Sequence, residues 1–166
     1  MTIALAAVFV LLLMAGELVR SRANERTLRQ QGASEPHDDV YRAMAWVYPL
    51  MFAVMGVEGL ARNRPSPTIV AAGLVIFFAA KVLKYWAIAT LGSRWTYRVL
   101  VPHDSTLIQT GPYAFVRHPN YVAVFGEILG FAMFSGAVAS GIASLLIFGA
   151  LVRRRILVEE RALGRV

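Results

Sequence analysis

The 166-residue chain contains no cysteine, which excludes disulfide frameworks, Cys-based zinc sites, iron–sulfur clusters and thiol nucleophiles. It is also poor in charge: 16% of its residues are charged, against about 25% in soluble domains. Lysine is nearly absent, with Lys81 and Lys84 standing beside 15 arginines. The three histidines, His37, His103 and His118, are too scattered for a metal-ligand spacing, so no metal is expected. No Gly-x-Gly-x-x-Gly loop is present, and nothing points to a Rossmann fold. Apolar residues are what the chain has in quantity. They make up 57% of it and raise the mean hydropathy to +0.56. A soluble core of this size cannot hide so much apolar surface, so the composition predicts an all-α integral membrane protein. The length predicts a single domain over residues 1–166, at roughly 100–200 residues per domain.

Four apolar stretches are long enough to matter for a bilayer core of about 30 Å. The first, residues 2–19, has no basic residue before it and Arg20, Arg22, Arg26 and Arg29 after it. That order predicts a retained span with its N-terminus outside rather than a signal peptide. The second, 43–60, contains Pro49 and Glu58. The third, 68–88, is entered through Pro65-Ser66-Pro67 and places Lys81 and Lys84 to snorkel at its far end. The last, 122–152, is too long for one span and short for two. A tight helical hairpin turning at Ser135-Gly136 makes five spans, and one tilted helix makes four. Of the 17 basic residues, 15 fall on one side of the five-span map and two, Arg62 and Arg64, on the other. The positive-inside rule therefore favours five spans with a cytoplasmic C-terminus, and reads the net charge of +7 as topology rather than nucleic-acid binding.

Residues 111–121 read Gly-Pro-Tyr-Ala-Phe-Val-Arg-His-Pro-Asn-Tyr. Pro119 suits the first turn of a helix, which puts Arg117 and His118 just before a helix N-terminus, where an anion is favoured. An interfacial anchor of Arg, His and Tyr is the plainer alternative. Near the C-terminus, Arg155 and Glu159 are four apart and share a helical face, while Glu160 lies about 100° round. A solvated amphipathic tail would look the same. Within the spans, Glu17 and Glu58 sit near helix ends and can lean into the interface. Glu127 lies about two turns into the fourth span, where it must face a cavity, pair with a cation or be protonated.

Gly-Pro-Tyr-x-x-x-Arg-His-Pro-x-Tyr, followed by Arg-x-x-x-Glu-Glu-x-x-Leu, resembles the isoprenylcysteine carboxyl methyltransferase family and its wider membrane superfamily. Both motifs stand intact here, at 111–121 and 155–163. The resemblance covers residues 85–166 and implies a non-Rossmann site for S-adenosylmethionine there, with residues 1–84 on the substrate side. It assigns Tyr113, Arg117, His118, Tyr121 and Glu159 or Glu160 to the cofactor, and catalytic roles to His118, Arg155 and Glu160. Arg155 either holds Glu159 in place or meets the substrate's oxygen. The N-terminal half, with Glu17, Arg20-Ser-Arg-Ala-Asn24, Gly32-Ala33, Glu35 and Tyr41, is similar to a bacterial branch that includes alkylpyrone O-methyltransferases. That branch carries a His in span two, where this chain has Val47-Tyr48-Pro49.

These resemblances imply an O-methyltransferase of a bacterial inner membrane. Its active site would face the cytoplasm and take a lipophilic acceptor from among the membrane lipids. Glu17, Asn24 and Glu127 are the candidate acceptor-side residues, and 89–110 a candidate lid. The rival acceptors are a prenylcysteine carboxylate and the amine of phosphatidylethanolamine. A small non-catalytic membrane protein is the rival from outside enzymology.

Overall fold

A computed structural model describes residues 2–36, 40–101 and 108–162; His37, His103 and Leu163 lie outside the described residues. Five α-helices follow one another: α1 (Thr2–Gln30), α2 (Tyr41–Ala61), α3 (Pro67–Leu91), α4 (Pro119–Ser135) and α5 (Val138–Ala162). Short 3-10 turns occupy Gly92–Arg94 and Gly111–Ala114. The extended pairing among the described residues is one antiparallel bridge between Ser34 and Val101. Helices α1, α2 and α3 are long and apolar enough to cross a membrane.

Local chemistry explains most of the boundaries. Ser66 accepts a hydrogen bond from Ile69 N at 3.4 Å, and Pro67 opens α3. Pro119 takes the first helical position of α4, as its missing N–H predicts. Helix α4 ends where Gly136 adopts a left-handed φ of 75°. There Gly136 N and Ala137 N both donate to Ala132 O, at 2.9 and 3.1 Å. The last apolar stretch is therefore two helices with a tight turn, not one tilted helix. Glu58, expected to lean into the interface, instead reaches across from α2. It accepts from Ala139 N and Ser140 N and so caps the start of α5.

The bundle core is aromatic and thioether-rich, around Phe52, Met55, Ile128, Phe131 and Phe148. Helices α3 and α4 come closest. A Cβ on Gly73 would lie 2.7 Å from Gly130 O, and one on Gly130 would lie 2.6 Å from Phe77 N. Only hydrogen fits at either position, which is how small residues bring membrane helices together.

Helix α1 runs well past its apolar part. Its 29 residues make a rod of about 44 Å, longer than the hydrocarbon core it would cross. Its buried face begins apolar, at Ile3, Val10 and Met14, then turns polar at Glu17, Ser21 and Glu25. One continuous stripe thus changes chemistry midway along the helix.

Candidate active site

The turn at Gly111–Ala114 and the start of α4 face the end of α5, and this brings the two motif segments together. Tyr121 sits in the first turn of α4. Arg155 Nε donates to Tyr121 Oη at 2.9 Å, and Tyr121 Oη donates to Glu159 Oε2 at 2.9 Å. Arg155 and Glu159 are therefore joined through the tyrosine. The His118 ring stacks on that of Tyr121, with centroids 5.3 Å apart. Its Nδ1 lies 4.0 Å from Glu159 Oε2 and its Nε2 lies 3.9 Å from Glu160 Oε1. Arg117, largely exposed, approaches Glu160 Oε1 at 3.9 Å. These are ion-pair separations rather than hydrogen bonds. His118 Nε2 and Asn120 Oδ1 are both buried and accept or donate no hydrogen bond. Burial and the neighbouring Glu159 carboxylate raise the Tyr113 phenol above its ordinary value, so it stays protonated.

A cavity of about 1320 Å³ opens against this group, and its wall includes Tyr113, Arg117, His118, Asn120, Tyr121 and Glu159. Glu160 is not part of that wall; it stands behind His118 and Arg117. Away from the motifs the wall mixes apolar positions, Met14 and Leu18 from α1, Met44 and Pro49 from α2, and Val124 and Phe148, with the basic residues Arg22, Arg42, Lys84, Arg94 and Arg98.

Residues 95–101, which follow α3, form another side of the cavity. The C-terminal part of α1 holds them. Asn24 Nδ2 donates to Gly92 O at 3.1 Å and to Trp95 O at 2.7 Å. Tyr97 N donates to Ser21 Oγ at 2.8 Å, and Arg98 pairs with Glu25 and Glu35. Among the described residues this segment is tied down as a wall; Asn24 points to that backbone and does not line the cavity. Burial and Glu17 push the Tyr97 phenol upward.

Lys81 and Lys84 do not snorkel. Both are buried, at 4% and 1% exposure, together with Glu17 and Glu127 at 4% and 0%. Lys84 Nζ lies 2.7 Å from Glu17 Oε2 and 3.3 Å from Glu127 Oε1. Lys81 Nζ lies 3.0 Å from Glu17 Oε1 and 3.2 Å from Glu127 Oε2. The reason is mutual: each carboxylate offers the lysines a partner inside the bundle, so reaching water brings no gain. Glu17 accordingly does not lean into the interface. Tyr97 Oη donates to it at 2.9 Å, and Tyr48 Oη donates to Glu127 Oε2 at 2.6 Å. Of this junction, Lys84, Tyr48 and Tyr97 reach the cavity wall, whereas Glu17 and Glu127 do not.

Sequence reasoning passed over Asn120, Tyr48 and the lysine pair as site residues. A signal for the pair was available: two lysines three apart share one face of an otherwise apolar helix.

The profile of the isoprenylcysteine carboxyl methyltransferase family matches residues 71–165. The chain belongs to this family. The match takes in most of α3, the 92–118 connection and the α4–α5 hairpin, and so contains both motif segments. The chain is also similar to the uncharacterized protein YpbQ of Bacillus subtilis strain 168. That similarity is 28% identity over 149 residues, 90% of this chain and 89% of the relative. An uncharacterized protein of Haemophilus influenzae is 26% identical over 95 residues, 57% of this chain and 55% of its own length. As a member of the isoprenylcysteine carboxyl methyltransferase family with three long apolar helices, the chain is a membrane methyltransferase.

Proposed function

We propose that the chain transfers a methyl group from S-adenosylmethionine to an oxygen of a lipophilic acceptor held within the bilayer. The observation that carries this reading is the cavity itself. Its volume of about 1320 Å³ exceeds the roughly 300–1,000 Å³ of a one-ligand pocket, and its wall combines charged and polar residues with the apolar faces of α1, α2, α4 and α5. A polar cofactor and an alkylated acceptor would each find a matching surface.

The residues present fit the cofactor. His118 Nε2 and Asn120 Oδ1 are buried polar atoms without partners, a cost that a polar ligand would remove. Glu159 and the faces of Tyr113 and Tyr121 suit the ammonium and sulfonium, and Arg117 suits the carboxylate. When bound, the cofactor supplies an electrophilic methyl group on sulfur. The chain's own work is then alignment and electrostatics. Arg155 and Glu159 fix the Tyr121 hydroxyl between them, and Tyr121 in turn sets the plane of His118. Glu160 stands outside the cavity wall, 3.9 Å from His118 Nε2, where its charge acts on the imidazole from behind.

The charges of the wall favour an acidic acceptor. Among the described residues it carries seven Lys and Arg side chains and one carboxylate, Glu159. Lys84 and Arg98 are balanced by carboxylates outside the wall, and Arg22, Arg42, Arg94, Arg117 and Arg155 still outnumber Glu159. That balance suits an acidic enol or phenol of alkylpyrone type, or a prenylcysteine-like carboxylate. It disfavours the amine of a phospholipid headgroup. With five spans and 15 basic residues on one face, the cofactor half opens to the cytoplasm of a bacterial inner membrane.

S-adenosylhomocysteine binding tests the reading. At 100 times its dissociation constant it should stabilise the detergent-solubilised protein by about 2.7 kcal/mol. Labelled cofactor with a membrane lipid extract should then mark the acceptor. Absence of thermal stabilisation at millimolar S-adenosylhomocysteine refutes the reading.

A further inference from the structure

We propose that Tyr48 and Glu127 form a proton relay that ionises an acidic, lipophilic acceptor inside the bundle. The proposal rests on the methyl-transfer reading of the cavity and adds how its acidic acceptor, entering from the bilayer in its neutral form, would lose its proton.

An acid dissolved in hydrocarbon is neutral, because the anion is costly there. Its protonated oxygen is a poor nucleophile until a base removes the proton. Tyr48 lies on the cavity wall beside Phe148 and Lys84, and its hydroxyl donates to Glu127 Oε2 at 2.6 Å. Glu127 lies behind it, fully buried and off the wall. Its Oε1 stands 3.3 Å from Lys84 Nζ but accepts no hydrogen bond. A proton leaving the cavity at this point has a donor–acceptor chain to follow and a carboxylate at its end.

The step balances. The acceptor's O–H proton passes to Tyr48 Oη as the Tyr48 proton passes to Glu127 Oε2. Tyr48 is again a phenol, Glu127 is a neutral acid, and the acceptor is an oxyanion. Before the step the junction holds two ammonium groups and two carboxylates, and the acceptor is neutral. Afterwards there are two ammonium groups, one carboxylate and one oxyanion. The sum stays at zero, so negative charge moves from behind Lys84 to its cavity side without being created in a medium of low dielectric. Lys84 keeps Glu17 at 2.7 Å and faces the oxyanion. An isolated buried glutamate could not do this; a neutral four-charge junction can. The acceptor must leave a delocalised oxyanion, because the cavity side of Lys84 is where its charge is balanced. Vinylogous acids, electron-poor phenols and carboxylic acids qualify, and simple alcohols and amines do not.

The test uses the full-length, cofactor-free protein in detergent and an alkylated chloronitrophenol, a probe near carboxylic strength that is coloured only when ionised. At a pH where the micelle-bound probe alone stays neutral, binding should produce the ionised band. Calorimetry in two buffers of different protonation enthalpy should show no proton released to solvent. Tyr48→Phe keeps all four charges and should lose the ionised band while S-adenosylhomocysteine still stabilises it as it does the parent. A parent spectrum unchanged from the neutral probe, a proton released to buffer, or a Tyr48→Phe variant as coloured as the parent would each overturn the relay. Failure of S-adenosylhomocysteine to stabilise either protein overturns the cavity reading instead.

Discussion

The junction of Glu17, Lys81, Lys84 and Glu127 and the rim of His118, Asn120, Tyr121, Glu159 and Glu160 share only helix α4, and they differ in how closely their charges are paired. In the junction every charge has an opposite charge within 3.3 Å, and its sum is zero. At the rim Glu160 lies 3.9 Å from Arg117 and from His118 Nε2, Glu159 lies 4.0 Å from His118 Nδ1, and two buried polar atoms have no hydrogen-bond partner. A group of charges that satisfies itself holds helices in register. One that is left unsatisfied has capacity for a ligand. Burial of charge does not by itself mark the place of chemistry; incomplete bonding does, and within the junction the incompletely bonded atom is Glu127 Oε1, on the carboxylate that ends the proposed relay.

The sharpest way to break the junction is to remove one charge. Lys84→Met leaves Glu17 and Glu127 sharing Lys81, and an uncompensated buried charge costs about 3–5 kcal/mol. Thermal unfolding in detergent should show that loss. Pairing Lys84→Met with Glu127→Leu restores neutrality and should recover most of it, because an apolar replacement of an ion pair is often close to neutral. A double variant as unstable as the single one would show that the junction matters for more than balance.

The rim should respond in the opposite way. His118→Ala or Glu160→Gln should lower methyl transfer by about 100-fold or more, the scale of a lost acid–base group. Their stability should stay within about 0.5 kcal/mol of the parent, as for positions without tight native contacts. Equal losses of stability at rim and junction would remove the distinction between them.

The two regions also differed in how far the sequence revealed them. Each half of the rim was legible because its own residues are close along the chain; that the halves meet, with Tyr121 and Glu159 38 positions apart, came from the family resemblance rather than from spacing. Pro119 forces a helix start just after Arg117 and His118, and the i, i+4 spacing of Arg155 and Glu159 sets them on one face. The hairpin was legible for the same reason, since Ser135-Gly136 breaks an apolar run with a residue that tolerates positive φ. The junction was not. Glu17 and Lys81 are 64 positions apart, and Lys84 and Glu127 are 43 apart. Hydropathy reports that a charge sits in a span but not which distant charge meets it. The C-terminal extension of α1 escaped for a related reason. Its buried stripe changes from Val10 and Met14 to Ser21 and Glu25, so an apolar-run criterion ends at Val19 while the helix continues to Gln30.

That extension joins the two regions, and Asn24 is where to test it. Asn24→Ala removes both hydrogen bonds that hold Gly92 O and Trp95 O, and should weaken the 92–101 wall locally by about 1–3 kcal/mol. Faster amide exchange across residues 95–101 with unchanged exchange in α4 would show that α1 sets this wall. Exchange unchanged in both would mean that the Ser21, Glu25 and Ser34 contacts suffice without it.

The smallest effect is expected at Tyr97, which touches both regions: it lines the cavity and donates to Glu17 of the junction. Burial and the Glu17 carboxylate raise its phenol above the ordinary value of 10. A group whose value is raised in the folded state contributes stability that is fully present below pH 10. That contribution is lost as pH rises further, because the unfolded chain ionises while the folded phenol resists. The unfolding temperature should therefore decline more steeply above pH 10 in the parent than in Tyr97→Phe, with the two running parallel below it. Identical slopes above pH 10 would mean that Tyr97 is not held against the junction. In that case the charge of Glu17 would be met by the two lysines alone.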